Sequence, residues 1–427
     1  MPRVTLEMAA GQLARLYGPL RLHVVEGQVL LLGAVLGPGS TVEVSEYRSY
    51  AVKALVDSRV VLELGYGATL ERPRPDEEPL DEWVSVVDSL LRRGCRGFMV
   101  LGPVDAGKSS LAALVANRAL AYGFRVGIVD ADIGQADIGP PACVSAARVA
   151  KPVFWLRELR AEKFRFIGYI TPQRAERRIV AAIVDLANWL RGSVDVVVVD
   201  TDGWVQGINS IEYKVEAARF AGVDSLLVVG DQKLYNMLRS QFGSLRCGVH
   251  FLRTPSARKT RSRDERRSLR GERYRDFLGG SVERVLDLSR LSVLGSCFFS
   301  GERLPDSVAE GYSAVLRVPV EAASETYDTV YVVTLGQPDP ASVEKLSQAL
   351  GKQVYILDKS LVPGTLAALA DERGEEVALG IVTSMDLRSM RARILTPYTG
   401  EVKALILGGT RLSSDYEEVG RPLRCVI

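Results

Sequence analysis

The sequence predicts an α/β core with a mainly parallel sheet, flanked by an N-terminal β domain and a C-terminal β-rich domain. Three observations predict it. Strand-like and helix-like segments alternate from about Gly97 to Val229, as in repeated βα units. Residues up to about Glu71 carry short apolar runs broken by glycine, with few helix signals. From about Leu286 short strand-like runs return, with one helical stretch among them. The 427 residues suit two or three domains. They divide as 1–79 for the N-terminal β domain and linker, 80–285 for the core, and 286–427 for the C-terminal domain.

In the N-terminal part, Leu20-Arg21-Leu22-His23-Val24-Val25 and Gln28-Val29-Leu30-Leu31-Leu32 read as strands around Glu26-Gly27. Gly33, Gly37-Pro38-Gly39 and Gly65 punctuate the remainder. Arg72-Pro73-Arg74-Pro75-Asp76-Glu77-Glu78-Pro79 is a stiff, charged linker. A helix from about Leu80 to Arg93 follows, then the short apolar strand Gly97-Phe98-Met99-Val100-Leu101. Further strands are expected at Arg125–Asp130, Val194–Asp200 and Ser225–Val229, with helices at Arg177–Leu190 and Ser210–Ala221. In the C-terminal part, strands are expected around Tyr331–Thr334, Gln353–Leu357, Val377–Val382 and Val402–Leu407, with one helix at Pro340–Leu350.

The composition is that of an ordinary globular protein, with no transmembrane-length apolar run and no signal-peptide pattern, so the cytoplasm is the default compartment. Cys95, Cys143, Cys247, Cys297 and Cys425 include no C-x-x-C pair and read as reduced residues, not as a disulfide or zinc framework. With only His23 and His250 present, histidine-based metal or triad chemistry is disfavoured. The net charge of +2 says nothing about a partner, but its distribution does. Between Arg253 and Arg275 ten Lys or Arg face three acids. This run, within 253–277, suits either a solvated basic helix or a lid whose arginines close over a γ-phosphate.

Gly102-Pro103-Val104-Asp105-Ala106-Gly107-Lys108-Ser109 fits G-x-x-x-x-G-K-[ST], the phosphate-binding P-loop. Its context agrees, because a strand precedes it and Ser110-Leu111-Ala112-Ala113 opens a helix. Lys108 is placed to reach the β- and γ-phosphates and Ser109 to hold Mg2+. Downstream, Asp130-Ala131-Asp132-Ile133-Gly134-Gln135 begins at a strand end. One of its carboxylates could order the metal's water shell and the other could accept a proton, although Asp and Gly also suit a plain turn. Val196-Val197-Val198-Val199-Asp200 ends another apolar strand, and an Asp there commonly meets the P-loop metal. Asp200-Thr201-Asp202-Gly203 also spells D-x-x-G, a GTPase-like signal, but the later strand ends in Val229-Gly230-Asp231-Gln232-Lys233 without a guanine-reading N-K-x-D. Trp204 could stack on a base or pack beneath a loop.

Taken in order, these segments resemble the polyribonucleotide 5′-hydroxyl kinases, both archaeal polynucleotide kinases and eukaryotic RNA-processing kinases. The P-loop from Gly102 to Ser110, the acidic segment from Asp130 to Gln135 and Ile167-Gly168-Tyr169-Ile170-Thr171-Pro172 are similar to that family's P-loop, acidic motif and phosphate clasp. Thr201-Asp202-Gly203-Trp204-Val205-Gln206-Gly207 and Asp231-Gln232-Lys233-Leu234-Tyr235-Asn236 also have family counterparts. The basic run resembles its lid, with Arg261, Arg266 and Arg270 at the functional spacing.

The resemblance implies a P-loop kinase core that transfers the γ-phosphate of ATP to the 5′-hydroxyl of RNA, with DNA ends as a second acceptor class. Gly102, Pro103, Val104, Asp105, Ala106, Gly107, Lys108, Ser109 and Ser110 would bind ATP. Ser109 would hold Mg2+ with Asp130 or Asp200. Asp132 would orient or deprotonate the hydroxyl, Gln135 and Thr171 would bind the acceptor, Trp204 would stack on its terminal nucleotide, and Arg261, Arg266 and Arg270 would neutralise the transferring charge. RNA-processing proteins are further expected partners. Two rivals stand beside this reading: an ATP-binding scaffold without turnover, and a P-loop GTPase.

Overall fold

The computed structural model describes residues 2–74, 76–242, 248–256, 260–423 and 425–427. Of the basic run, residues 257–259 lie outside the described part, as does Cys247. The chain forms two compact units. The first comprises Met1–Gly139, Val144–Arg165 and Thr171–Arg266; the second comprises Pro140–Cys143, Phe166–Ile170 and Arg267–Ile427.

The first unit opens with nine strands and, among its described residues before Leu80, no helix. A four-stranded sheet runs Arg3–Met8, Ser58–Leu64, Leu20–Glu26, Thr41–Val44, with antiparallel neighbours throughout. Side chains alternate across a strand, so Leu20, Leu22 and Val24 turn inward while Arg21 faces solvent. The second N-terminal sheet has five strands, with Leu13–Tyr17 between Ser49–Ala54 and Thr69–Glu71.

These sheets share one apolar core with the P-loop helix, Lys108–Ala121, through residues such as Leu31, Val52, Leu111 and Leu114. Asn117 on that helix is buried and ties three segments together. Its Nδ2 donates to the carbonyls of Leu32 at 2.8 Å and Val153 at 2.9 Å, and its Oδ1 accepts from the Val153 amide at 2.8 Å. A polar side chain is tolerated there because every hydrogen-bonding group finds a partner.

The central sheet has seven strands in the order Lys163–Phe166, Cys143–Val149, Val126–Ala131, Val196–Thr201, Gly97–Leu101, Ser225–Val229, Gly248–Leu252. The last five run parallel, and Cys143–Val149 pairs antiparallel with Val126–Ala131. The expected mainly parallel sheet is therefore present, with an antiparallel strand that its sequence did not announce. The expected core helices lie at Leu80–Arg92, Glu176–Arg191 and Ile208–Phe220. Parallel pairing puts the strand carboxyl ends on one side, and the register sets Val100 and Asp130 each opposite Asp200.

The second unit contains a six-stranded sheet and a four-stranded sheet. It holds two helices between its strands where one was expected. Pro340–Leu350 has the full start and stop chemistry: Asp339 accepts from the Ser342 amide at 3.0 Å, Pro340 stands in the first turn, and left-handed Gly351 ends it. The additional helix, Asp306–Leu316, starts after Pro305 with no side-chain cap and ends at Arg317, so its local signal is faint.

The cysteine expectation is corrected here. Cys297 and Cys425 form a disulfide with Cα atoms 5.5 Å apart across 128 residues, Cys95 is also disulfide-bonded, and Cys143 is free and buried. Spacing along the chain carries no signal for a bridge that only folding brings together. Among the described residues, no helix is long and apolar enough to cross a membrane.

Candidate active site

The site begins where Gly97–Leu101 gives way to the P-loop. Gly102 has φ +154°, and a Cβ there would lie 2.6 Å from the Val229 carbonyl oxygen, so the loop is seated on the neighbouring strand end. Asp105 occupies the left-handed region at φ 58°, and Gly107 at φ 102° precedes the helix. Lys108 is buried and its Nζ donates to the Pro103 carbonyl at 2.9 Å, spanning the loop that would wrap a triphosphate. The first amides of Lys108–Ala121 and its dipole favour an anion at this end.

The two strands on this side of the P-loop strand bring four aspartates together. Asp130 is fully engaged. Its Oδ2 accepts from the amides of Asp137 at 2.7 Å and Ile138 at 2.9 Å, and its Oδ1 accepts from the Asp132 amide at 3.2 Å. Burial, with Asp200 and Asp137 nearby, pushes its carboxyl well above the usual range. Asp200, opposite it in register, is differently placed. Its Oδ1 is buried with no partner, and Ser109 acts to lower its pKa. Burial pushes its carboxyl up to about 7. The hydroxyl of Ser109 beside an unspent carboxylate oxygen is a donor set that fits a divalent cation with phosphate and water completing its shell. Among the described residues no three or more His, Cys, Asp or Glu side chains form a metal cluster, so the geometry offers no all-protein cage.

Asp132 is half-buried. Its Oδ1 accepts from the amides of Gly134 at 3.1 Å and Gln135 at 2.9 Å, which fixes the carboxylate at the start of the loop. Burial raises its pKa, against the pull of Lys108 and with a further push from Asp202. Gln135 donates from Nε2 to the Gly134 carbonyl and, at 3.4 Å, to that of Arg266.

Gly203 explains why the tryptophan segment lies against the P-loop. A Cβ on it would fall 2.5 Å from Val104 Cγ2 and 2.8 Å from Val104 Cα, so only glycine permits this approach. Trp204 is half-buried immediately after it. Sequence reasoning missed the groups that hold it: Asp202, Tyr213 and Lys214, all buried. Their signal was weak, since a Tyr-Lys pair inside a helix is ordinarily a surface feature.

The basic run divides between the units. In the first, Arg266 donates to Asp105 Oδ2 at 2.7 Å, and the backbone amide of Arg261 donates to the same oxygen at 3.3 Å. Burial and the nearby Arg48 lower the pKa of the Arg261 guanidinium, against the pull of Asp137, Asp105 and Asp132. In the second unit, Arg270 grips Glu418 through Nε at 2.7 Å and an Nη at 3.0 Å, and Arg267 pairs with Glu417 at 2.9 Å. Arg263–Leu278 is helical, and Arg270 meets a carboxylate of the C-terminal segment rather than the P-loop aspartate that Arg266 holds.

The clasp segment is also shared. Thr171 is exposed and belongs to the first unit, ahead of Glu176–Arg191. Its predecessors belong to the second, where Gly168 (φ +80°) lies so close to Gly408 that a Cβ would sit 2.5 Å from the latter's Cα. Gly168 accepts there from the Thr410 amide at 3.0 Å, and the Tyr169 hydroxyl donates to the Leu423 carbonyl at 3.1 Å. Nothing in the local sequence singles out Gly408.

A triphosphate loop at a central parallel strand end, acidic strand ends beside it and an arginine-bearing helix define a P-loop phosphotransferase fold. Residues 102–280 match the family model described as the P-loop of mRNA cleavage and polyadenylation factor CLP1. The chain is 29% identical over 350 residues to the polyribonucleotide 5′-hydroxyl-kinase of Pyrococcus abyssi, covering 81% of this chain and 96% of that one. It is 27% identical over 327 residues to the Thermococcus kodakarensis protein of the same name, covering 76% and 90%. Clp1 of Gallus gallus, also named a polyribonucleotide 5′-hydroxyl-kinase, is 30% identical over 257 residues, covering 57% and 56%. Among solved structures, Clp1p in a Clp1p–Pcf11p complex shares the fold with a TM-score of 0.62 at 14% identity, covering 96% of this chain and 98% of that chain. Over most of its length the chain is thus similar to proteins named polyribonucleotide 5′-hydroxyl-kinases.

Proposed function

We propose that this protein transfers the γ-phosphate of ATP to the 5′-hydroxyl of RNA. One observation carries the reading: Gly203, next to Trp204, packs against Val104 of the P-loop so closely that a Cβ on it would fall 2.5 Å from Val104 Cγ2. A triphosphate on the P-loop and a nucleotide on Trp204 would thus lie side by side.

In this mechanism the acceptor oxygen attacks the γ-phosphorus, its proton passes to Asp132, and the bond to the β,γ-bridging oxygen breaks to release ADP. The P-loop residues Gly102 to Ser110 wrap the phosphates, and Lys108 exchanges its Pro103 carbonyl for phosphate oxygens. Ser109 and Asp200 would hold Mg2+, which would supply positive charge beside the phosphates. Asp130 shapes the adjoining loop, because its oxygens already accept backbone amides. Gln135 and Thr171 contact the acceptor. Arg261 and Arg266 approach from the lid, whereas the side chain of Arg270, the third arginine proposed for that role, is paired with Glu418. Contacts of this kind go to backbone and base faces, so sequence preference is weak and DNA ends remain acceptors to be tested. RNA-processing proteins are the proposed partners.

The test is incubation with γ-labelled ATP or GTP and matched 5′-hydroxyl RNA and DNA oligomers. The 5′ end of RNA should acquire label from ATP, and Lys108→Ala and Asp132→Asn should each abolish labelling while the protein stays folded. ATP that remains uncleaved with every acceptor would favour the scaffold, and GTP hydrolysis indifferent to oligonucleotide would favour the GTPase.

A further inference from the structure

Trp204 is held on three sides by buried groups. Its amide donates to Asp202 Oδ1 at 2.7 Å. Its carbonyl accepts from Lys214 Nζ. Its indole stacks on Tyr213, with ring centroids 6.0 Å apart and planes inclined by 20°. The three supporting residues are bound to one another. Lys214 Nζ donates to Asp202 Oδ1 at 3.0 Å and lies 4.9 Å from the Tyr213 ring centroid, and the Tyr213 hydroxyl donates to Asp202 Oδ2. Asp202, Tyr213 and Lys214 are each at least 96% buried.

Taking a carboxylate and an ammonium out of water is expensive, and an apolar pair of similar volume often packs at least as stably. Core stability alone therefore gives a poor account of charges here. Their bonds end on the amide and the carbonyl of the same residue, which fixes the backbone on both sides of Trp204, while Tyr213 fixes its ring. A platform already held in place avoids part of the ordering cost when a base stacks on it.

We propose that Asp202, Tyr213 and Lys214 are positioning residues that pre-organise Trp204 as the stacking platform for the acceptor's terminal nucleotide. The proposal rests on the kinase reading above for its substrate, and on the observed contacts for its geometry. It separates the acceptor side of the site from the donor side. Loss of the support weakens the hold on the oligonucleotide and leaves ATP binding alone.

The experiment measures KM for a 5′-hydroxyl oligoribonucleotide and for ATP in the full chain, with oligonucleotide affinity read in parallel by fluorescence anisotropy. Lys214→Met and Tyr213→Leu should each raise the oligonucleotide KM and weaken its binding by about tenfold, the scale of one lost base stack. KM for ATP should stay within about twofold and kcat within about threefold. In a Trp204→Ala background the same substitutions should change oligonucleotide binding by less than about twofold, because the platform they support is gone. Should Lys214→Met fail to fold with Asp202 left unpaired, the Asp202→Asn/Lys214→Met double variant removes both charges and is read in the same way. Unchanged oligonucleotide affinity, an equal rise in both KM values, or a full tenfold effect persisting without Trp204 would overturn the proposal. Wild-type protein that binds the oligonucleotide but never labels it would sink the kinase reading instead, and the anisotropy measurements would still decide the role of the three residues.

Discussion

Two neighbouring strands, Val126–Ala131 and Val196–Thr201, run into the same pattern, Asp-x-Asp, and pair in register so that Asp130 faces Asp200. Their carboxylates nevertheless do different work. Asp130 spends both oxygens on backbone amides of its own loop, whereas Asp200 keeps one buried oxygen without a partner beside Ser109. The second aspartates diverge as well. Asp132 uses one oxygen to fix its turn, and Asp202 is consumed by Trp204, Tyr213 and Lys214. Residue type and position on the strand were equal; the supply of nearby donors was not. A carboxylate surrounded by amides becomes a fastener, and one left short of donors becomes a site for a cation or a proton.

The sharpest way to break this comparison is at the second pair. Asp132→Asn should lower kcat about a thousandfold, within the range for losing a general base, while Asp202→Asn should act chiefly on the oligonucleotide KM. Steady-state kinetics on both variants decides it, and equal kcat losses would erase the distinction. At the first pair, Asp200→Asn should cost at least about a hundredfold in labelling rate without lowering the melting temperature, because an uncharged amide replaces a carboxyl buried short of partners. Asp130→Ala should instead cost about 3 kcal/mol of stability, since it strands the amides of Asp132, Asp137 and Ile138. Urea unfolding of the two variants side by side would show whether fastener and site have been assigned the right way round.

The smallest effect is expected at the opposite ends of the same two strands. There Arg125 pairs with Asp195 at 2.7 Å on the surface. Hydrogen bonds from the Arg125 side chain and amide hold the Asp195 carboxyl down at about 2. A carboxyl depressed in the folded state adds stability above its ordinary value near 3.8 and loses it as the pH falls toward 2. Arg125→Gln should therefore lower the melting temperature slightly at pH 7, with the difference from wild type shrinking as the pH falls through about 2 and gone below it. A difference that does not shrink over that range would assign the effect to packing of the arginine stem.

The basic run shows how far local pattern can be read. A basic helix was one of its two readings and Arg263–Leu278 is helical, yet nothing local says which carboxylates Arg266 and Arg270 will meet. Asp105 and Glu418 lie 161 and 148 residues away from them, and nothing in the intervening sequence connects them. The same limit hid the Cys297–Cys425 bridge and the contact between Gly168 and Gly408, both of which join distant segments.

By itself the sequence determined the P-loop, the alternation of strand and helix from Gly97 to Val229, and the candidate aspartates at strand ends. Each depends on interactions among residues a few places apart: glycine's backbone freedom, the period of apolar side chains and the charge at a helix start. Which aspartate is left short of donors, what supports Trp204 and where Arg266 and Arg270 are held emerged only on folding. Those outcomes depend on which donors burial brings together across a hundred residues or more, and hydrogen bonding in the absence of water then fixes their roles.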